Sequence, residues 1–212
     1  MRRLHCHCEA LAKAIHDSVF FDCFVPHNDK FVMRLLLPLI ICCLFLQGST
    51  FVIDGSYNAA MHNNNGVVFL HDGNYLAAIS EFKIAILLMP EKPVSACYYN
   101  NLGLSYNLIN HPEWAQASFE KALSINPNFF EYYKNLVKTY KYRNTLQKNL
   151  ANYKSNIKNN NNHSISWLFI GLIYEETGMK KDAVNAFVKY TKLEPSMILT
   201  DAVNKHLDEI KK

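Results

Sequence analysis

From residue 59 onward, small, aromatic and apolar positions return in one fixed order at a spacing of about 34 residues. Gly66 is followed at offsets 3, 7, 12, 16, 19 and 24 by Phe69, Gly73, Ala78, Phe82, Ala85 and Pro90. At the same offsets Gly103 is followed by Tyr106, Asn110, Ala115, Phe119, Ala122 and Pro127, and Gly171 by Tyr174, Gly178, Ala183, Phe187, Tyr190 and Pro195. Gly103 and Gly171 stand 68 residues apart, two steps of 34, so a fourth copy is predicted around Val137. It keeps Tyr140, Asn144 and Tyr153 at offsets 3, 7 and 16, but Asn149, Asn156 and Asn161 take the slots of the two small residues and the proline.

These offsets predict one pair of antiparallel helices per copy. The glycine lets two helices approach, an aromatic one turn later fills the gap, and offsets 12 and 19 mark where the second helix packs on the first. Gly73, Asn110, Asn144 and Gly178 at offset 7 are types that tolerate the left-handed conformation closing a helix. The proline at offset 24 stops the second helix. An excess of three residues between the first two copies falls in Glu91-Lys92-Pro93, a predicted loop. Beyond the last copy, Leu199, Val203, His206, Leu207 and Ile210 recur at helical spacing among Asp201, Lys205, Asp208 and Lys211, predicting an amphipathic capping helix over 198–212.

The pattern resembles the tetratricopeptide repeat family over residues 59–195. The resemblance implies an all-α fold, a right-handed α-solenoid of about four helix-turn-helix repeats (about 59–92, 96–129, 130–163 and 164–197) plus the C-terminal cap. First helices would line a concave groove. At 212 residues, 50% of them apolar, the chain suits one such domain with an N-terminal extension.

That extension reads differently. Residues 35–46 are twelve consecutive apolar residues, LLLPLIICCLFL, with Met33-Arg34 before them and Gln47-Gly48-Ser49-Thr50 after. This is the anatomy of a secretory signal. Three of the four arginines lie at or before Arg34 and 22 of the 23 asparagines after it, so residues 1–32 form a compositionally foreign leader and Met33 is the expected start. Two other readings stay open. An uncleaved membrane anchor could use the uncharged run of 19 residues from Leu35 to Ile53, which Gln47 to Thr50 interrupts, and a soluble protein could bury the segment as a helix. The expectation is export, periplasmic or secreted, or membrane anchoring at residues 33–50; a cytoplasmic location is disfavoured.

Cleavage would leave Cys97 alone among the six cysteines, so no intrachain disulfide is expected. His5-Cys6-His7-Cys8 has zinc-ligand types, but alternate residues on one stretch lack the usual gap and a second ligand pair, so no metal is expected. No cofactor is expected either: the chain has no glycine-rich phosphate loop, no nucleophile elbow and no His-Glu metal motif. Glu175-Glu176 and Asp208-Glu209 solvate helices, and His62, His71, His111, His163 and His206 are scattered surface or filler positions. No catalytic residue and no small-molecule substrate are assigned.

Function is expected in the groove. Residues two before the glycine, one after it and five after it share one side of each first helix. They are Asn64, Val67 and His71; Asn101, Leu104 and Leu108; Asn135, Lys138 and Tyr142; and Phe169, Leu172 and Glu176. A carboxamide both donates and accepts, so three asparagines in register suit the backbone of an extended peptide. The family resemblance implies peptide contact at Asn64, Asn101 and Asn135 only; helical spacing adds Leu104, Leu108, Lys138 and Tyr142 on the same side as expected peptide-binding neighbours. Asparagine is abundant throughout the chain, and composition alone could supply part of this register. The clamp that takes acidic chaperone tails is disfavoured, because Asn63, Val67, Glu131 and Asn135 stand where it needs a lysine, an asparagine and a basic pair, leaving Asn101 as the one fit.

Residues 129–163 carry Lys134, Lys138, Lys141, Arg143, Lys148, Lys154 and Lys158 against Glu131, a local +6 in a chain of +4. This basic third repeat suits an acidic partner or anionic lipid, and export makes nucleic acid the least favoured. Its Tyr132, Tyr133, Tyr140 and Tyr153 are expected in the core, with Tyr142 facing the groove. The expected function is a non-enzymatic module that holds an extended peptide or a helix of a partner protein in its groove. The alternative is a membrane-tethered structural assembly factor acting through its convex face and cap.

Overall fold

The computed structural model describes residues 55–194 and 198–211. They form α1 (Gly55–His71), α2 (Tyr75–Leu88), α3 (Ser95–Leu108), α4 (Pro112–Ile125), α5 (Phe130–Tyr142), α6 (Leu146–Asn159), α7 (Ser164–Glu176), α8 (Lys180–Leu193) and α9 (Ile198–Lys211), with no strand among the described residues. The leader at 1–32, the apolar stretch from Leu35 to Ile53, every cysteine but Cys97, and Pro195 lie outside them. No helix among the described residues is long and apolar enough to cross a membrane.

The offset-7 residues end the first helices. Gly73, Asn110, Asn144 and Gly178 have φ of 78°, 59°, 53° and 79°. In each case the next N–H reaches back five residues: Asn74 to Phe69, His111 to Tyr106, Thr145 to Tyr140 and Met179 to Tyr174, all at 2.8 Å from the carbonyl oxygen. This Schellman closure satisfies carbonyls that a helix end would otherwise leave unpaired.

The ring that fills the space at each glycine comes from the second helix, which corrects the expectation that the offset-3 aromatic does so. A Cβ on Gly66, Gly103 or Gly171 would meet the ring of Phe82, Phe119 or Phe187 at 2.6, 2.7 and 2.6 Å respectively. These three phenylalanines are fully buried, together with Ala78, Ala115 and Ala183. Offset 3 instead supplies the carbonyl that receives the capping N–H.

The third pair is built otherwise. Val137 takes the glycine's place and is itself buried, and Asn149 spends its side chain on Thr145 of its own helix. A valine side chain leaves no room for a ring against the backbone, so α5 and α6 touch far less than the helices of the other pairs. Tyr153, the offset-16 ring, stacks on Phe169 of α7 instead, with centroids 4.5 Å apart and planes at 6°. Leu150 is the one fully buried residue of α6.

Successive first helices touch, α1 on α3, α3 on α5 and α5 on α7, whereas the second helices do not touch one another. The first helices therefore form the crowded inner row of a solenoid and the second helices its splayed outer row. The cap α9 packs on α8 and reaches α5, burying Leu199, Val203 and Leu207. His206 lies against the rings of Phe130 and Phe187 and joins Glu175 at 2.8 Å.

Candidate functional site

The inner row carries a chain of carboxamides across three helices. Asn101 Nδ2 on α3 donates to Asn63 Oδ1 on α1 at 3.0 Å, and Asn135 Nδ2 on α5 donates to Asn100 Oδ1 on α3 at 2.9 Å. Asn100 Nδ2 links the two steps, 3.4 Å from Asn101 Oδ1. Below them Thr139 Oγ donates to the Asn135 carbonyl at 2.9 Å and accepts from Asn107 Nδ2 at 2.8 Å. These asparagines are half-buried, and each carboxamide has two donor hydrogens and two acceptor lone pairs. The ladder uses only part of that capacity, with N–H groups and the Asn135 side-chain oxygen outside its bonds.

The register follows a rule the sequence pattern alone did not display. Neighbouring inner helices are staggered, so the residue two before the glycine on one helix meets the residue three before it on the preceding helix. Asn101 and Asn135 accordingly sit in the ladder, while Asn64 is exposed and outside it, its expected place taken by Asn63. The next rung would join Lys134 to Phe169, and there the ladder stops.

Beside the ladder Leu104 is half-buried, and Leu108, Lys138 and Tyr142 are exposed, Leu108 at 54% and Tyr142 at 68%. Val67 and His71 are exposed on α1. The fourth copy departs from expectation: Phe169 and Leu172 are 6% and 3% exposed rather than lining a groove. Here α7 packs this face inward, and Phe169 meets Tyr133 and Tyr153. Glu176 remains half-buried and pairs with Lys141 at 3.1 Å.

The basic third repeat is partly compensated by its neighbours. Lys134 pairs with Glu131 at 3.0 Å, and Arg143 reaches Glu113 at 3.3 Å and also bonds Gln116. Among the described residues Lys138, Lys148, Lys154 and Lys158 form no ion pair. Tyr132, Tyr133 and Tyr140 are core as expected, and burial pushes the first two up to about 12 from 10.0. Of the histidines, His62 joins Glu81 at 2.8 Å and His163 Nδ1 accepts from the Ser166 N–H at 3.3 Å. Among the described residues no group of three His, Cys, Asp or Glu side chains is placed to hold a metal. The inner face offers hydrogen-bonding amides flanked by apolar side chains.

Two tetratricopeptide repeat models match the chain, one over residues 57–128 and one over 165–197. The stretch they leave between them is the third pair, where asparagines replace the small residues. No curated protein matches. Similar solved structures include MamA, 23% identical over 65% of this chain and 79% of that one, with a TM-score of 0.44. A tetratricopeptide repeat protein from Parabacteroides merdae is 19% identical over 73% of this chain and 60% of that one, with a TM-score of 0.45. The first TPR of Spaghetti (RPAP3), bound to an HSP90 peptide, is 14% identical over 74% of this chain and 96% of that one, with a TM-score of 0.41. The matched residues are those whose glycine, alanine and phenylalanine pack each helix pair and whose offset-7 residue closes it, and the chain belongs to the tetratricopeptide repeat family.

Proposed function

We propose that this chain is a non-enzymatic protein-interaction module that holds an extended segment of a partner along the inner face of α1, α3 and α5. The observation that carries this reading is the asparagine ladder, which presents donors and an acceptor at fixed spacing with Leu104, Leu108 and Tyr142 beside them. Such an array pairs with peptide N–H and C=O groups without reading side chains, and the apolar neighbours supply the preference for sequence. Lys138, free of any ion pair among the described residues, biases the choice toward acidic segments. Export, or tethering through residues 35–53, would place this face outside the cytoplasm, and mass spectrometry of the native N-terminus tests that placement.

The groove reading is tested with random 12-residue peptides displayed on phage. Peptides selected by the full chain should bind the double variant Asn101→Ala, Asn135→Ala at least about tenfold more weakly, and N-methylation of their central amides should have a like effect. Unchanged affinity in both arms sinks the proposal. A second reading, assembly through the outer surface, draws on the exposed Leu76 and Leu87 of α2, 69% and 78% accessible. It predicts self-association that Leu76→Glu, Leu87→Glu abolishes in sedimentation velocity.

A further inference from the structure

Away from the inner face, the junction between the third and fourth pairs is packed differently from the two before it. At the two earlier junctions the offset-19 alanine packs on the aromatic five residues before the next glycine, Ala85 on Tyr98 and Ala122 on Tyr132. At the third junction the same slots hold Asn156, which is exposed, and Ser166, which is buried against His163. On a different face of the two helices, lined by Trp167, Ile170 and Tyr174 of α7, a cleft of about 580 Å³ opens between α6 and α7.

Its two walls carry stripes at helical spacing. Lys154, Ile157 and Lys158 stand on α6, and Trp167, Ile170 and Tyr174, at intervals of three and four, on α7. The floor is apolar, with Ile170 recessed at 2% exposure, and the rim is cationic, with no carboxylate lining it. Lys154 Nζ lies 5.3 Å from the centroid of the Tyr174 ring, and neither lysine has an ion pair among the described residues. Two parallel stripes make the seat for one more helix, and lysines four residues apart match carboxylates three or four apart on it. A bilayer surface could reach the rim but not the recessed floor.

We propose that this cleft docks a short amphipathic helix of a partner protein, with leucine- or aromatic-type residues on the apolar floor and glutamate or aspartate against Lys154 and Lys158. The site is independent of the asparagine ladder, so one module can engage an extended segment and a helix at once.

The test uses the full chain with Trp114→Phe, which leaves Trp167 as the reporting tryptophan. The probe is a capped 14-residue helical peptide with leucines at i, i+4, i+7 and i+11 and glutamates flanking them, compared with the same peptide bearing lysines. The acidic peptide should shift Trp167 emission and bind about tenfold or more tightly than the basic one. Lys154→Glu, Lys158→Glu should reverse that order, while Asn101→Ala, Asn135→Ala should leave it unchanged. The proposal is overturned if charge reversal does not change the preference, or if the asparagine variant loses the peptide. It is overturned equally if phosphatidylserine vesicles, and not the acidic peptide, bind in a manner that depends on the two lysines.

Discussion

At the residue scale, the two kinds of glycine in this chain have opposite reasons to be there, and substitution separates them. Gly103 sits in a helix interior, where alanine would gain about 1 kcal/mol of helix propensity. Its Cβ would lie 2.7 Å from the Phe119 ring, and overpacking of a filled core costs about 1–3 kcal/mol. Gly103→Ala should therefore lower stability by up to about 2 kcal/mol in urea denaturation, taking the overpacking cost against the propensity gain. A net gain would mean that the ring has room to move. At the helix ends backbone conformation decides. Asn144 holds φ of 53° without a glycine, so Asn144→Gly should change stability by no more than about 0.5 kcal/mol, while Asn144→Val should cost about 1–2 kcal/mol.

At the element scale, α6 is the weak member of the array. It fully buries Leu150 alone, where α4 buries Ala115, Ser118, Phe119 and Ala122. A large buried apolar side chain contributes roughly 1.5–3 kcal/mol, so α6 is held by about one such contact and by half-buried neighbours. Amides of Leu146–Asn159 should exchange with deuterium about tenfold or more faster than those of Pro112–Ile125, as seen by mass spectrometry of the full chain. Equal protection would show that half-buried Tyr153 and Ile157 hold the helix as well as a filled interface does. The four-pair fold was legible in the sequence because glycine, alanine and phenylalanine recur in phase, and the asparagines of the third copy marked its irregularity. Which ring meets the glycine was not legible, since offsets 3 and 16 are both aromatic and only the crossing of the helices chooses between them. The ladder was half legible: Asn101 and Asn135 stand out in register, but the stagger that brings in Asn63 and Asn100 depends on how inner helices pack. Burial of Phe169 and Leu172 was hidden for a related reason. It depends on rings from two other helices, Tyr133 of α5 and Tyr153 of α6, that close over Phe169.

At the scale of the whole molecule, a tyrosine-rich core links stability to alkaline pH. Unfolded tyrosines ionise near 10.0, whereas burial holds Tyr132 and Tyr133 up to about 12 and pushes Tyr153 higher still. The folded state thus keeps the proton longer, and the stability this gives is fully present below pH 10 and is lost as pH rises toward 12. The urea midpoint should stay level up to about pH 10 with respect to these groups and fall between 10 and 12, with Tyr153→Phe lessening the slope. A level midpoint through pH 12 would contradict the burial of these rings.

The asparagine ladder has a mechanical meaning as well. Its rungs tie the inner edges of three successive hairpins, the side that must open if the superhelix straightens, so each rung opposes that straightening by the worth of a hydrogen bond. Beyond α5 the rungs cease and the inner row continues through ring contacts instead, Phe169 of α7 against Tyr133 and Tyr153, so the rear of the array is joined by buried apolar surface where the front is joined by hydrogen bonds.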